Sequence, residues 1–175
     1  MNLKHKEITI REAAHADAEQ LCTWWNDGAV MAHAGFSNGL GTTKEAIIEK
    51  LDAQEIQNTC RHIIEFEGRP IGEMNYIRMS ETACEMGIKI CEADMQNRGL
   101  GKVILSLFIK GLFEELGYDK ICLDTNLNNQ RAQHVYEQLG FRKVRVNKDS
   151  WRNQLGELQS SVDYELTRDT FISFL

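Results

Sequence analysis

The residues best able to do chemistry lie in one stretch, Glu85 to Gly101, which reads Glu-Met-Gly-Ile-Lys-Ile-Cys-Glu-Ala-Asp-Met-Gln-Asn-Arg-Gly-Leu-Gly. Cys84, Met86, Ile88 and Ile90 alternate with Glu85, Gly87 and Lys89, the pattern of a strand with one face in a core. A donor-rich turn follows and opens directly into an apolar helix. A helix start leaves several N–H groups unpaired and carries partial positive charge, so Gln96-Asn97-Arg98-Gly99-Leu100-Gly101 suits the cradling of a pyrophosphate. Gly99 and Gly101 let phosphates approach the main chain, and Arg98 and Lys102 add positive charge.

Spacing separates three kinds of phosphate loop. A dinucleotide fingerprint needs a third glycine where this chain has Ile104, and a Walker loop needs Ser or Thr where it has Val103. What remains is Gln-x-x-Gly-x-Gly, which resembles the acetyl-coenzyme A loop of the Gcn5-related N-acetyltransferase (GNAT) superfamily. Downstream, Asn129-Gln130-Arg131-Ala132-Gln133-His134-Val135-Tyr136-Glu137-Gln138-Leu139-Gly140-Phe141 is similar to that superfamily's Asn-x-x-Ala-x-x-x-Tyr-Glu-x-x-Gly-Phe segment. The two motifs are independent and stand in the right order.

The elements that must position these residues follow from periodicity. Ile8 to Arg11 reads as a first strand, and Ala18, Leu21, Cys22 and Trp25 mark a first helix. The segment to Gly41 reads as loop. Thr42-x-x-Glu45 reads as a capping box before a second helix striped with Ile47, Ile48 and Leu51. Cys60 to Phe66 and Ile71 to Met79 form a hairpin, and the fourth strand ends at Ile90. The helix after the loop carries Leu100, Val103, Ile104, Leu107, Phe108 and Leu112, with Gly117 at its end. Lys120 to Asp124 is a fifth strand, and Asn128 or Asn129 caps a shorter helix that Gly140 stops. Phe141 to Val146 and Ser161 to Leu166 are the last strands, with either a twisted hairpin or a loop between them. The order βααβββαβαββ implies an α/β (α+β) fold with a mixed central sheet, helices on both faces, and a right-handed crossover joining parallel strands four and five. The expectation is a single domain over residues 1–175.

Composition bounds the function. The chain has 175 residues, 42% of them hydrophobic, and one proline, enough for a sizeable core. A formal charge of −6 argues against a general affinity for nucleic acid and suits a cationic acceptor. No apolar run approaches the length of a membrane span, and no leader pattern is visible, so the expected location is the cytoplasm. Cys22, Cys60, Cys84, Cys91 and Cys122 lack Cys-x-x-Cys spacing and read as reduced thiols, with no metal site.

The resemblance implies acetyl-CoA as cosubstrate and direct transfer of its acetyl group to a primary amine, on a small molecule or a protein N-terminus. It implies that Gln96 to Lys102 hold the diphosphate, that Ile88 and Ile90 offer main-chain contacts to the pantetheine arm, and that Asn129 bonds that arm. By matching position, Tyr136 is the acid that protonates the departing thiolate. Glu85 stands where several branches place a general base; an exposed strand glutamate is the other reading. Trp24, Asn26 and Asp27 resemble a Trp-x-Asn-Asp stretch in the branch that includes the ribosomal-protein N-terminal acetyltransferases and some aminoglycoside and polyamine acetyltransferases, although Gly28 replaces the branch's usual proline. That resemblance makes His33, Phe36 and Asn38, with Trp24, the acceptor-side candidates. Dimerisation is common in the superfamily. A reading from another class is an acyl-CoA sensor without turnover, against which the acid at Tyr136 speaks.

Overall fold

The computed structural model describes residues 1–175. Its elements are β1 (Leu3–His5), β2 (Ile8–Glu12), α1 (Ala18–Trp25), α2 (Gly28–Met31), α3 (Lys44–Asp52), β3 (Thr59–Phe66), β4 (Arg69–Arg78), β5 (Ala83–Ile90), α4 (Leu100–Glu114), β6 (Lys120–Asn126), α5 (Gln130–Gln138), β7 (Arg142–Arg152) and β8 (Leu158–Thr167). One sheet runs β1-β2-β3-β4-β5-β6-β8-β7, antiparallel at every pair except β5–β6. The mixed sheet with helices on both faces is as expected.

Alternation along the strands sorts residues into two cores. Ile63 and Ile64 are neighbours on β3, yet Ile64 joins the larger core beneath α4 and α5 while Ile63 joins the smaller one beneath α1 and α3. In α4, Ile104, Leu105, Leu107, Phe108, Ile109, Leu112 and Phe113 are buried. At roughly 1.5–3 kcal/mol for each large apolar side chain, this anchors α4 more firmly than its sequence propensity could. The start of α4 is therefore held at a fixed place on the sheet.

The structure departs from the sequence reading at local details. Strand β1 was not anticipated: it is three residues long, and only Leu3 of it is buried. Two short helical turns, α2 and a 3₁₀ turn at Ala32–Ala34, occupy part of the segment read as loop. The cap of α3 is Thr43 rather than Thr42, its hydroxyl accepting from the Ala46 amide at 3.2 Å. Thr42 is already engaged, since its amide donates to Asn26 Oδ1 at 2.8 Å and its carbonyl accepts from Asn26 Nδ2 at 2.9 Å. Asn129, not Asn128, caps α5. The undecided segment after Val146 is a hairpin: β7 continues to Arg152, and its turn is closed by the Asn153 amide donating to the Glu157 carbonyl at 3.0 Å.

One buried charge ties the layers together. Glu73 on β4 is 1% exposed, pairs with Arg61, and accepts from Trp25 Nε1 at 2.8 Å and from Lys89 Nζ at 3.2 Å. Burial works to raise its pKa, but the charges of Arg61 and Lys89 and the Trp25 hydrogen bond outweigh it and hold the carboxyl below its ordinary value. A carboxyl held low in the folded state stabilises the fold above the unfolded carboxyl's pKa, and that contribution is lost as pH falls through the folded value. Glu73→Gln is therefore expected to lower stability by about 3 kcal/mol, the low end for a broken buried pair. The low end applies because Arg61 and Lys89 stay 24% and 33% exposed. Urea titration checks it, and the variant should also lose part of the wild-type dependence of stability on acid pH.

Candidate active site

Parallel pairing between β5 and β6 covers only Ala83↔Lys120, Cys84↔Ile121 and Glu85↔Cys122. Beyond it, β5 stays paired with β4 as far as Ile90, and β6 stays paired with β8 as far as Asn126. The two strands follow different partners and diverge, as sheet twist dictates. A cleft of about 660 Å³ fills the opening, walled by Met86 to Ile90 on one side and Leu123 to Asn126 on the other. The Cys91 amide donates toward β4, to the Ile71 carbonyl at 2.8 Å. By alternation the main-chain groups of Ile88 and Ile90 face the opening. There the Ile90 carbonyl accepts from Gln96 Nε2 at 2.9 Å.

The turn into α4 runs through a 3₁₀ turn at Ala93–Met95, then Asn97 at φ 59° and Gly99 at φ 77°. The left-handed conformation favours glycine at position 99. The amides of Asn97 to Lys102 make no hydrogen bond within the chain, so a row of donors coincides with the positive end of a 15-residue helix. A Cβ added at Gly101 would meet nothing within 4 Å, so the space over this residue is open. The two cations lie to the side: the Arg98 guanidinium sits 5.5 Å over the Phe66 ring, and Lys102 Nζ lies 4.6 Å over the Phe174 ring.

Across the cleft, Asn129 uses its Oδ1 to cap α5, accepting from the Ala132 amide at 3.2 Å. About two turns on, Tyr136 is 8% exposed, with its ring packed on Phe141 and Tyr164 at 5.8 and 5.9 Å. Its hydroxyl makes no hydrogen bond within the chain, and the residue lines the cleft. Burial, then the charge of Asp124, push its pKa up to about 12, which keeps the proton on the oxygen at neutral pH.

The sequence candidates separate into those at the cleft and those away from it. Ile88, Ile90, Gln96, Gly101, Asn129, Tyr136 and His33 line it; Trp24, Phe36 and Asn38 do not. Trp24 is buried in the smaller core and donates from Nε1 to Glu92 at 2.8 Å. Asn38 is tied to the β7–β8 turn, its amide donating to Gln154 Oε1 at 2.8 Å. Phe36 is 36% exposed and lies off the cleft. The Trp-Trp-Asn-Asp stretch instead holds the loop that reaches the cleft: Asn26 clamps Thr42, and Asp27 caps α2 through the Ala29 amide at 2.8 Å. Gly28 is required there because a Cβ would fall 2.0 Å from the Ser37 carbonyl oxygen.

Glu85 sits one residue below the lining, half-buried, its pKa raised by burial and then by Asp124 and Asp163. Asp124, Lys89, Arg131 and Trp151 line the cleft and were not singled out from sequence. Asp124 is raised too, by burial and then by Asp163. An aspartate ending an otherwise apolar strand was the available signal. Trp151 had none, because its position depends on the hairpin packing over Gly35.

The model of the acetyltransferase (GNAT) domain family matches residues 7–142. Among solved structures, spermidine N-acetyltransferase from Vibrio cholerae, in complex with CoA and spermine, is 17% identical with a TM-score of 0.84, covering 95% of this chain and 98% of its own. The GNAT-family acetyltransferase from Bacillus anthracis is 19% identical with a TM-score of 0.79, covering 97% and 99%. Salmonella typhimurium yncA, solved with its cofactor acetyl-CoA, is 18% identical with a TM-score of 0.74, covering 92% and 94%. At these identities the likeness is one of fold.

Cys91 follows β5 directly but does not line the cleft: it is 7% exposed, its Sγ is 3.7 Å from the Lys89 carbonyl, and burial, then Glu73, push its pKa up to about 12. A thiol so held is a poor nucleophile. In native protein Cys91 should resist iodoacetamide while the partly exposed Cys22 is labelled. Peptide mass spectrometry reads the result, and early labelling of Cys91 would contradict it.

Proposed function

The chain belongs to the acetyltransferase (GNAT) domain family, and from that premise we propose that its cleft moves the acetyl group of acetyl-CoA directly onto a primary amine of a small molecule. Acetyl-CoA is the cosubstrate and supplies an activated thioester. One observation carries the reading: Gly101, whose amide at the start of α4 is unpaired, and Tyr136, whose hydroxyl bonds to nothing in the chain, line the same cleft. The open space above Gly101 suits a diphosphate against those amides, with Gln96, Asn97, Arg98, Gly99, Leu100 and Lys102 completing the cradle. Arg98 and Lys102 need only swing from their aromatic rings to add charge.

The main-chain N–H of Ile88 faces the opening and is suited to stabilise charge building on the acyl oxygen in a site emptied of water. Asn129 keeps its side-chain N–H₂ free for the pantetheine arm while its oxygen caps α5. As the amine nitrogen bonds to the acyl carbon and the carbon–sulfur bond breaks, Tyr136 gives its proton to sulfur. Glu85, raised in pKa, accepts the proton of the amine through water. A domain that only held the cofactor would have no use for a protonated hydroxyl at that end. The spermidine acetyltransferase among the structural neighbours supports a small aliphatic amine as acceptor. The Trp24, Asn26 and Asp27 stretch, which holds the acceptor-side loop, supports a place beside the ribosomal-protein N-terminal acetyltransferase branch.

Acetyl-CoA at a hundredfold excess over its Kd should add about 2.7 kcal/mol of stability, a rise in Tm of roughly 5–10 °C, while ATP and NAD add none. Tyr136→Phe should keep that rise and lose about 10²-fold or more in kcat, read by release of free thiol over a panel of amines. Unchanged turnover in the variant would remove Tyr136 from the acid's role.

A further inference from the structure

On the far side of β4 from the cleft, a buried histidine lacks the partners that burial calls for. His62 on β3 is 0% exposed, and its Nδ1 makes no hydrogen bond. Its Nε2 meets Cys60 Sγ at 4.0 Å, a long contact even for sulfur. Buried polar groups are almost always satisfied, so an imidazole left this way needs a reason. Packing supplies part of one, since the ring lies edge-on to Phe108 at 5.1 Å and tilted to Tyr76 at 6.0 Å. An apolar ring would pack there without the cost of burying nitrogen. Half a turn of the imidazole exchanges nitrogen and carbon positions without altering that packing, so either nitrogen can face its neighbours.

Those neighbours are metal ligands in kind. Cys60 and His62 are two residues apart on β3, so both side chains leave the same face. Glu12, the last residue of β2, is registered directly opposite His62. One donor atom from each of the three lies within 4.8 Å of the other two. Tetrahedral zinc with bonds of ordinary length holds its ligand atoms roughly 3.3–3.8 Å apart, so Cys60 and His62 need little closing. Glu12, its side chain 57% exposed, is free to swing the remaining distance. The cluster already attracts positive charge, because the Met1 amino group is paired with Glu12. Burial, then the charge of that amino group, push the His62 pKa down to about 4, which leaves a neutral imidazole with a lone pair to give. Burial, then the charge of Glu12, raise Cys60, which stands as a thiol until a cation takes the place of its proton. Cysteine spacing along the chain could not show this group, since sheet pairing supplies Glu12.

We propose that Glu12, Cys60 and His62 bind a zinc ion, with water in the fourth position on the exposed side of Glu12. Binding forms one zinc bond each to oxygen, sulfur and nitrogen, displaces the Met1 amino group from Glu12 and releases the Cys60 proton to solvent, with no change of oxidation state. The ion ties the end of β2 to β3. None of the three residues lines the cleft, so the site is separate from acetyl transfer and does not rest on that reading.

The test uses the full chain, stripped with EDTA, and Zn²⁺ or Co²⁺ alone as the probe. Zinc, titrated against a chromophoric chelator, should bind at one ion per chain, and at a hundredfold excess over its Kd should raise Tm by about 5 °C or more. Cobalt should give a thiolate-to-metal charge-transfer band. Cys60→Ala should abolish that band, and Glu12→Gln, at an exposed carboxylate, should weaken zinc by about tenfold or more. Circular dichroism should show both variants folded as the wild type. A cobalt spectrum without the band, a band that survives Cys60→Ala, or a zinc affinity indifferent to Glu12→Gln would each overturn the proposal, leaving His62 a packing residue only.

Discussion

Beyond Glu85 and Cys122, β5 and β6 each stay bonded to a different neighbour, and the rest of the site depends on the gap that results. A parallel pair that continued to Ile90 would spend the main-chain groups of Ile88 and Ile90 on β6. Because it stops, they face a cleft, and the Gln96 side chain donates to the Ile90 carbonyl and fixes the turn at its edge. The helices complete the gap. Helix α4 follows β5 and α5 follows β6, so each wall delivers its own helix start to the same opening, one bringing free amides and the other Asn129 and Tyr136.

An opening between strands sacrifices ladder hydrogen bonds, and the sheet around it is held by other means. Burial of α4 across the larger core is one. Glu73 is the other: it joins Trp25 of α1, Arg61 of β3 and Lys89 of β5 at a single carboxylate. That cluster places the acceptor-side loop as well, because Trp25 and Asn26 are consecutive and Asn26 clamps Thr42 at the loop's far end. Stability and site geometry are thus carried by the same residues.

Much of this was legible in the chain because it rests on short-range pattern. The helix after Gly99 announced itself by an apolar period and a glycine pair, and both motifs fell where their elements require. The parts that were not legible depend on long-range contact. Nothing near Trp24 says that its indole will bond Glu92, so a residue read as facing substrate proved to be core. Thr42 and Thr43 are equivalent as caps until Asn26 claims the first. Asp124 reads as a strand end, and its meaning appears only when β8 sets Asp163 opposite it. Strand β1 has too few residues to show a period.

The two ends of the cleft carry opposite electrostatic character, and the reason is the direction of the elements that meet there. Parallel strands followed by helices bring helix N-termini, with their positive ends, to the same edge of the sheet. That edge is suited to an anion whatever side chains it bears. Where the two strands part, side chains set the field, with Glu85 and Asp124 unpaired and Asp163 held by Arg145. A chain of formal charge −6 keeps its anion site usable because main-chain dipoles, not a surplus of basic residues, supply the positive field. The acidic surface is then free to attract the other reactant. An anionic cosubstrate and a cationic acceptor can share one narrow cleft because main-chain dipoles draw the first and carboxylates the second, and the gap between β5 and β6 exposes both.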